Sequence, residues 1–168
     1  LFYARAEKQL GDTLRAFEIL NLGREYFPDE NSLQLEEAQL YLETGNNDML
    51  VNSLKEAIAA DPSNPNLYRV LGQTYENIGE NANAIESYKK AIELNPDFAD
   101  AIFNLGAIYV NSAAELYKEA NNLPFEEMEK YKKLKGLADA DLHLALPYLE
   151  KSIELNPNDK IVISALKE

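Results

Sequence analysis

The chain has 168 residues, no cysteine and a formal net charge of −13. Lack of cysteine excludes a disulfide framework and a cysteine metal site, and the acid excess works against nucleic-acid backbones and anionic lipid surfaces as partners. The apolar share of 46% and charged share of 27% describe a folded chain, and no apolar run reaches the roughly 20 residues that membrane insertion requires.

In chain order, Pro28, Pro62 and Pro96 fall 34 residues apart, and the residues between them recur in step. Such a period marks a stack of helical hairpins, each burying its apolar face against its neighbours. Residues 1–30 hold Ala4, Gly11, Ala16, Leu20, Gly23 and Pro28 in phase, as a repeat shortened at its start. Residues 31–64 carry Ala38, Tyr41, Gly45, Leu54, Ala57 and Pro62. Two positions there depart from the pattern: Gln34 replaces an apolar opener, and Leu50 stands where a small residue would let the helices approach.

Residues 65–98 give the period its cleanest form. Pro65 opens a helix where a missing N–H costs nothing. Tyr68, Leu71, Gly72 and Tyr75 follow at helical spacing. Gly79 accepts the positive φ that ends a helix, then Ala84, Tyr88, Ala91 and Ile92 mark a second helix that stops at Asn95-Pro96. A fourth repeat, 99–159, starts with Ile102, Leu105, Gly106 and Tyr109 and closes with Ala145, Leu149, Ser152 and Pro157. Pro96 and Pro157 are 61 residues apart, so 27 extra residues separate its two helices. Ile161, Val162, Ile163 and Leu166, within 160–168, read as the start of a further helix. No basic stretch followed by an apolar run opens the sequence, so no signal peptide is read from it, and because residue 1 falls inside a repeat a longer natural chain is expected. The compartment stays open between cytoplasm and bacterial periplasm.

The segment 65–98 resembles the tetratricopeptide repeat at every signature position, and the resemblance extends over 1–112 and 142–168. It implies an all-α fold, a right-handed α-solenoid of helix-turn-helix repeats forming a single domain over 1–168. Three regular repeats followed by one with a long hairpin resemble bacterial members of the family.

The insertion, 113–144, does not have the composition of a linker. Leu116, Tyr117 and Ala120, then Met128, Tyr131, Leu134 and Ala138, recur at helical spacing, with one break at Asn121-Asn122-Leu123-Pro124. The simplest reading lengthens both helices of the repeat, the first to about residue 121 and the second back to about 125. Glu126 with Lys130 and Glu129 with Lys133 have the four-residue spacing of helical ion pairs. Gly136 weakens such a helix by about 1 kcal/mol, and Pro147 removes one of its backbone bonds.

No chemistry-bearing constellation emerges. His143 is the one histidine; Asp139 and Asp141, two apart on a helix, point in different directions and read as solvated surface. Calcium loops, phosphate-binding glycine loops and nucleophile elbows are absent from the sequence. We therefore expect no enzyme, no cofactor and no metal.

The resemblance implies instead a protein or peptide partner, held in a concave groove lined by the first helix of each repeat. By repeat phase the lining consists of Leu35, Gln39, Arg69, Gln73, Asn77, Phe103, Asn104, Ala107 and Asn111. The same phase adds Arg5, Lys8, Glu43 and Glu76 to the candidate lining. A subset of the family clamps the C-terminal carboxylate of chaperones with lysine, asparagine and arginine. Neither register places that set here: one gives Leu35, Gln39, Val70, Asp100 and Asn104, the other Arg69, Gln73, Asn104, Ile161 and Ala165. The projecting hairpin reads either as enlarging the hydrophobic contact at the end of the stack or as a partner-docking or dimerising arm, so a partner is expected in the groove, on the hairpin or on both. The alternatives are a structural segment of a larger chain and a self-associating, homo-oligomeric module.

Overall fold

The computed structural model describes residues 2–27 and 31–157, without the side chains of Ala6, Gln9, Asn31, Gln34, Leu35, Ala38 and Leu42. Pro28 and the expected helix with Ile161, Val162, Ile163 and Leu166 lie outside the described residues. All regular structure among the described residues is helical. It falls into two compact units, 1–79 and 80–168.

The first unit contains α1 (Phe2–Gln9), α2 (Thr13–Tyr26), α3 (Asn31–Thr44), α4 (Asn47–Ala60) and α5 (Pro65–Asn77), each packed on the next. The 34-residue period sets where these helices begin and end. Gly11 and Gly45, with Gly79 at the unit's end, have φ of +85°, +71° and +80°, so each supplies the left-handed residue that stops a helix. Asp12, one residue past Gly11, then caps α2 by accepting the Arg15 N–H at 2.9 Å. Pro65 occupies the first turn of α5, behind an Asn64 side chain that accepts from the Asn66 N–H.

Inside this unit Ala16, Leu20, Leu33, Leu40, Leu50, Leu54, Leu71 and Tyr75 are buried. Leu50, the departure from the small-residue pattern, is fully enclosed. Buried among these apolar residues is a charge. Glu37 is 2% exposed and receives Arg24 Nη1 at 2.6 Å and the Tyr41 hydroxyl at 3.0 Å, tying α2 to α3. Arg24 Nη2 also reaches Glu56 of α4 at 3.1 Å. Burial first, and the Glu37 charge and hydrogen bond second, push the Tyr41 hydroxyl up to about 12.

The second unit holds α6 (Asn81–Leu94), α7 (Ala99–Asn121) and α8 (Met128–Leu155), the last entered through a 3₁₀ turn at Phe125–Glu127. One period after Gly79 the residue is Ala113, and no turn forms there; α7 runs on to 23 residues, against 14 in α6. The excess of nine residues adds about 14 Å of helix. The backbone N–H groups of Asp61, Asn95 and Asn156 each return to a carbonyl four residues back, so helix ends keep the 34-residue period until the last interval, which is 61. The insertion is therefore continuous helical hairpin, ending α7 at residue 121 as the sequence predicts and starting α8 after the short turn.

Gly106 allows α7 and α8 to meet closely. A Cβ there would lie 2.9 Å from Leu149 Cδ2 and 3.3 Å from Tyr148 Cβ. Further along, Tyr109 and Tyr148 stack with ring centroids 6.3 Å apart.

Candidate binding surfaces

The residues expected to line a groove lie on α3, α5 and α7, the first helices of their repeats. In the first unit, Gln39 is exposed but its amide donates to Glu43 Oε1 at 2.8 Å. Lys8 of α1 meets the same Glu43 oxygen at 2.8 Å, and Arg5 meets Glu36 at 2.7 Å. Hydrogen bonds from Gln39 and Lys8 hold the Glu43 carboxyl below its ordinary range. Arg5, Lys8, Gln39 and Glu43 are thus tied to carboxylates and amides of the fold, and two ion pairs link α1 to α3. Leu35 sits on α3 with its side chain outside the described ones.

On α5 the situation differs. Gln73 and Asn77 are exposed, and Arg69 is partly buried. Arg5, Arg15 and Arg24 each meet a carboxylate within 3.1 Å. Arg69 meets none among the described residues; its Nη1 reaches only the Gln73 amide oxygen at 3.3 Å, and its Nε is buried without an acceptor. In a chain with 29 acidic and 16 basic residues, a guanidinium left without a carboxylate stands out.

In the second unit, Phe103 and Ala107 are half-buried on α7 and Asn111 is exposed. Asn104 is turned inward, donating its amide to the Tyr88 hydroxyl at 3.3 Å; Tyr88 itself is fully buried. The amide of Asn104 therefore serves the contact between α6 and α7.

The hairpin shows polar contacts that sequence reasoning missed. Asp139 and Asp141 are not plain solvated surface: the Tyr117 hydroxyl donates to Asp139 Oδ1, and the Ser112 hydroxyl donates to Asp141 Oδ2 at 2.7 Å. The hydrogen bond to Asp139 is also the leading cause that raises the Tyr117 pKa. The expected ion pairs also change partners. Lys130 meets Glu119 of α7 at 3.1 Å, and Glu129 meets Lys132 at 3.0 Å. The signal was available in the hairpin register, which runs residue numbers down one helix as they rise along the other and brings 112 near 141 and 117 near 139. His143 Nδ1 lies 2.7 Å from the Asp139 carbonyl oxygen, a contact that places the ring proton on Nδ1.

Among the described residues there is no cluster of three or more histidine, aspartate or glutamate side chains fit to hold a metal ion. Nor is any helix among them long and apolar enough to cross a membrane.

Residues 33–64 match the family described as "Tetratricopeptide repeat", and residues 77–112 match "TPR repeat". Among solved structures, the fold is similar to MamA 41-end from Desulfovibrio magneticus RS-1, at 19% identity and a TM-score of 0.65, covering 94% of this chain and 73% of that one. The first TPR of Spaghetti (RPAP3), bound to the HSP90 peptide SRMEEVD, is similar over 80% of this chain and 86% of its own, at 21% identity and a TM-score of 0.60. A tetratricopeptide repeat protein from Parabacteroides merdae ATCC 43184 is similar over 97% of this chain and 68% of its own, at 15% identity and a TM-score of 0.60. No curated protein sequence matches the chain.

Proposed function

From a chain built of tetratricopeptide repeats, we propose a non-catalytic interaction scaffold that holds a peptide or partner helix against the first helices of its repeats. The observation that carries this reading is the state of α5. Arg69, Gln73 and Asn77 follow one another at four-residue spacing on one side of that helix, with the Arg69 guanidinium meeting no carboxylate among the described residues and the two amides exposed. Unspent donors and acceptors of this kind suit the backbone and side chains of a bound peptide. By repeat phase Leu35 on α3 and Phe103 on α7 are the apolar positions that correspond to Arg69, with Ala107 and Asn111 further along α7. The internal bonding of Gln39 leaves Arg69, Gln73 and Asn77 as the polar positions of the first unit, and that of Asn104 leaves Phe103, Ala107 and Asn111 on α7.

The test is a peptide library screened against this chain. Hits should weaken by at least ~1 kcal/mol with Arg69→Ala and with Phe103→Ala. Hits that persist unchanged in both variants would show that the first helices are not the binding face.

A second reading, self-association or packing on a neighbouring domain, is favoured by one observation. Phe2, Tyr3, Leu10 and Leu14 of α1, its following turn and α2 are each at least three-quarters exposed or close to it. Sedimentation of the chain and of Leu10→Glu/Leu14→Glu separates the readings: a concentration-dependent mass lost in the variant supports association through this face.

A further inference from the structure

The outer side of α5 is chemically uneven along its length. At about 100° per residue, Arg69, Gln73 and Asn77 fall within roughly 80° of one another, opposite the buried Leu71 and Tyr75. They form a strip about 12 Å long with a polar side chain every 6 Å or so. Arg69, at one end, offers donors only: its Nη1 reaches the Gln73 amide oxygen at 3.3 Å, and its Nε is buried without an acceptor. Gln73 keeps its NH2 group and Asn77 its whole amide, both exposed.

Arg69 is also the exception among the cations of the first unit. Arg5, Lys8, Arg15 and Arg24 each meet a carboxylate, and Lys55 lies over the Tyr75 ring, 5.9 Å from its centroid. Residues 28–79 hold nine acidic side chains (Asp29, Glu30, Glu36, Glu37, Glu43, Asp48, Glu56, Asp61 and Glu76) against two basic ones, Lys55 and Arg69. None of those described meets Arg69. The fold thus leaves one partly buried guanidinium without the countercharge that such a group needs once it has lost water.

On the reading of α5 as part of a binding face, we infer that this strip takes an extended peptide bearing a single carboxylate, which pairs with Arg69 while the peptide backbone runs along Gln73 and Asn77. Two residues of an extended chain span about 6.6 Å, close to the spacing of the strip. The unpaired N–H and C=O groups of such a chain are what amide side chains satisfy. A helix keeps those groups to itself and docks by an apolar ridge, whereas all three strip positions are polar. One acid is the fitting number, because no second unpaired guanidinium accompanies Arg69 and the acid excess of 28–79 repels further carboxylates. An Asp or Glu side chain and a peptide C-terminus supply the same group.

The experiment selects a soluble library of random 12-residue peptides with free C-termini on the whole chain, then measures synthetic hits by fluorescence anisotropy. Hits should share one carboxylate at a fixed position. Replacing it by the amide should weaken binding about ten-fold or more, and that penalty should shrink as salt rises from about 50 to 300 mM. In Arg69→Ala and Arg69→Gln the same replacement should change binding less than about two-fold, with circular dichroism checking that the helices persist. Methylating backbone nitrogens within four residues of the acid should weaken binding about five-fold or more. Amidating the C-terminus separates the two sources: a ten-fold loss assigns the carboxylate to the terminus, and no loss assigns it to a side chain. Hits without an acid, or an acid-to-amide penalty equal in the parent and both Arg69 variants, overturn the inference. So do hits that bind as helices or ignore backbone methylation. Neutral hits that Phe103→Ala weakens would leave the first-helix face standing while this inference fails. Hits indifferent to Arg69→Ala, Gln73→Ala and Phe103→Ala would remove that face as well.

Discussion

Replacing Arg24 with methionine tests how α2, α3 and α4 are held together. Methionine keeps much of the apolar stem and removes only the guanidinium. The ion pair with Glu37 spans 2.6 Å, for which the gross attraction at an effective dielectric of about 20 is ~6 kcal/mol. Desolvating both ions cancels most of that gain. The variant loses the attraction and keeps the cost, because the Glu37 carboxylate stays 2% exposed with the Tyr41 hydroxyl as its remaining donor among the described residues. The expected loss is ~3–5 kcal/mol in urea unfolding followed by far-UV circular dichroism. The limb to Glu56, whose side chain is 66% exposed, adds under ~1 kcal/mol. Arg24→Met/Glu37→Leu removes both charges and should return to within ~2 kcal/mol of the parent, the remainder reflecting the Tyr41 hydroxyl left without its acceptor. A single variant that loses less than ~1 kcal/mol, or a double variant as unstable as the single, refutes a buried charge held by its partner.

Tyr41 gives the same network a pH signature. Its folded pKa, about 12, exceeds the ordinary 10.0, so its contribution is complete below pH 10 and is lost as pH rises toward 12. Relative to Tyr41→Phe, the parent should lose roughly 2 kcal/mol between about pH 9.5 and 11.5, read from urea midpoints. Two glycines should respond to alanine with opposite signs in thermal melts. Gly79→Ala, at φ +80°, should cost ~1–2 kcal/mol, whereas Gly136→Ala, inside α8 with open space at its Cβ, should stabilise by up to ~1 kcal/mol. Ser112→Ala removes the donor to Asp141 and should lower stability by ~0.5–1.5 kcal/mol in urea unfolding.

The helices were legible because their ends depend on single residues whose backbone preference is local. Gly11, Gly45 and Gly79 stop helices at one period, and alanine at position 113 lets α7 continue. Pro65 and Asn64 open α5 in the same local way. What stayed hidden involves pairing between helices. Glu37 on α3 looks like any surface glutamate until α2 brings Arg24 to it, and Asn104 looks like a surface amide until α6 brings Tyr88. The four-residue pairs Glu126/Lys130 and Glu129/Lys133 were read from one helix alone. Lys130 instead found an acid across the hairpin, and Glu129 paired one residue nearer. An i,i+4 pair is worth only about 0.2–0.5 kcal/mol, so a cross-helix partner of equal strength displaces it easily.

The insertion is where these two levels meet. An ordinary repeat helix is buried by a neighbour on each side, while a lengthened hairpin gives its added turns only one another. Two features answer that shortage within α7 and α8. Alanine at 113, 120, 138 and 145, all buried, together with Gly106, brings the backbones close enough for dense contact. Hydroxyls at 112 and 117 then fix the register against Asp141 and Asp139, since sliding by one turn would strand both carboxylates. A hairpin held along one narrow seam leaves the rest of each helix uncommitted. Over 130–146 of α8 that exposed remainder is mostly leucine and lysine, with the glutamates confined to the two ends of the helix. The seam accounts for folding, and Lys133, Leu137 and Leu144 lie outside it.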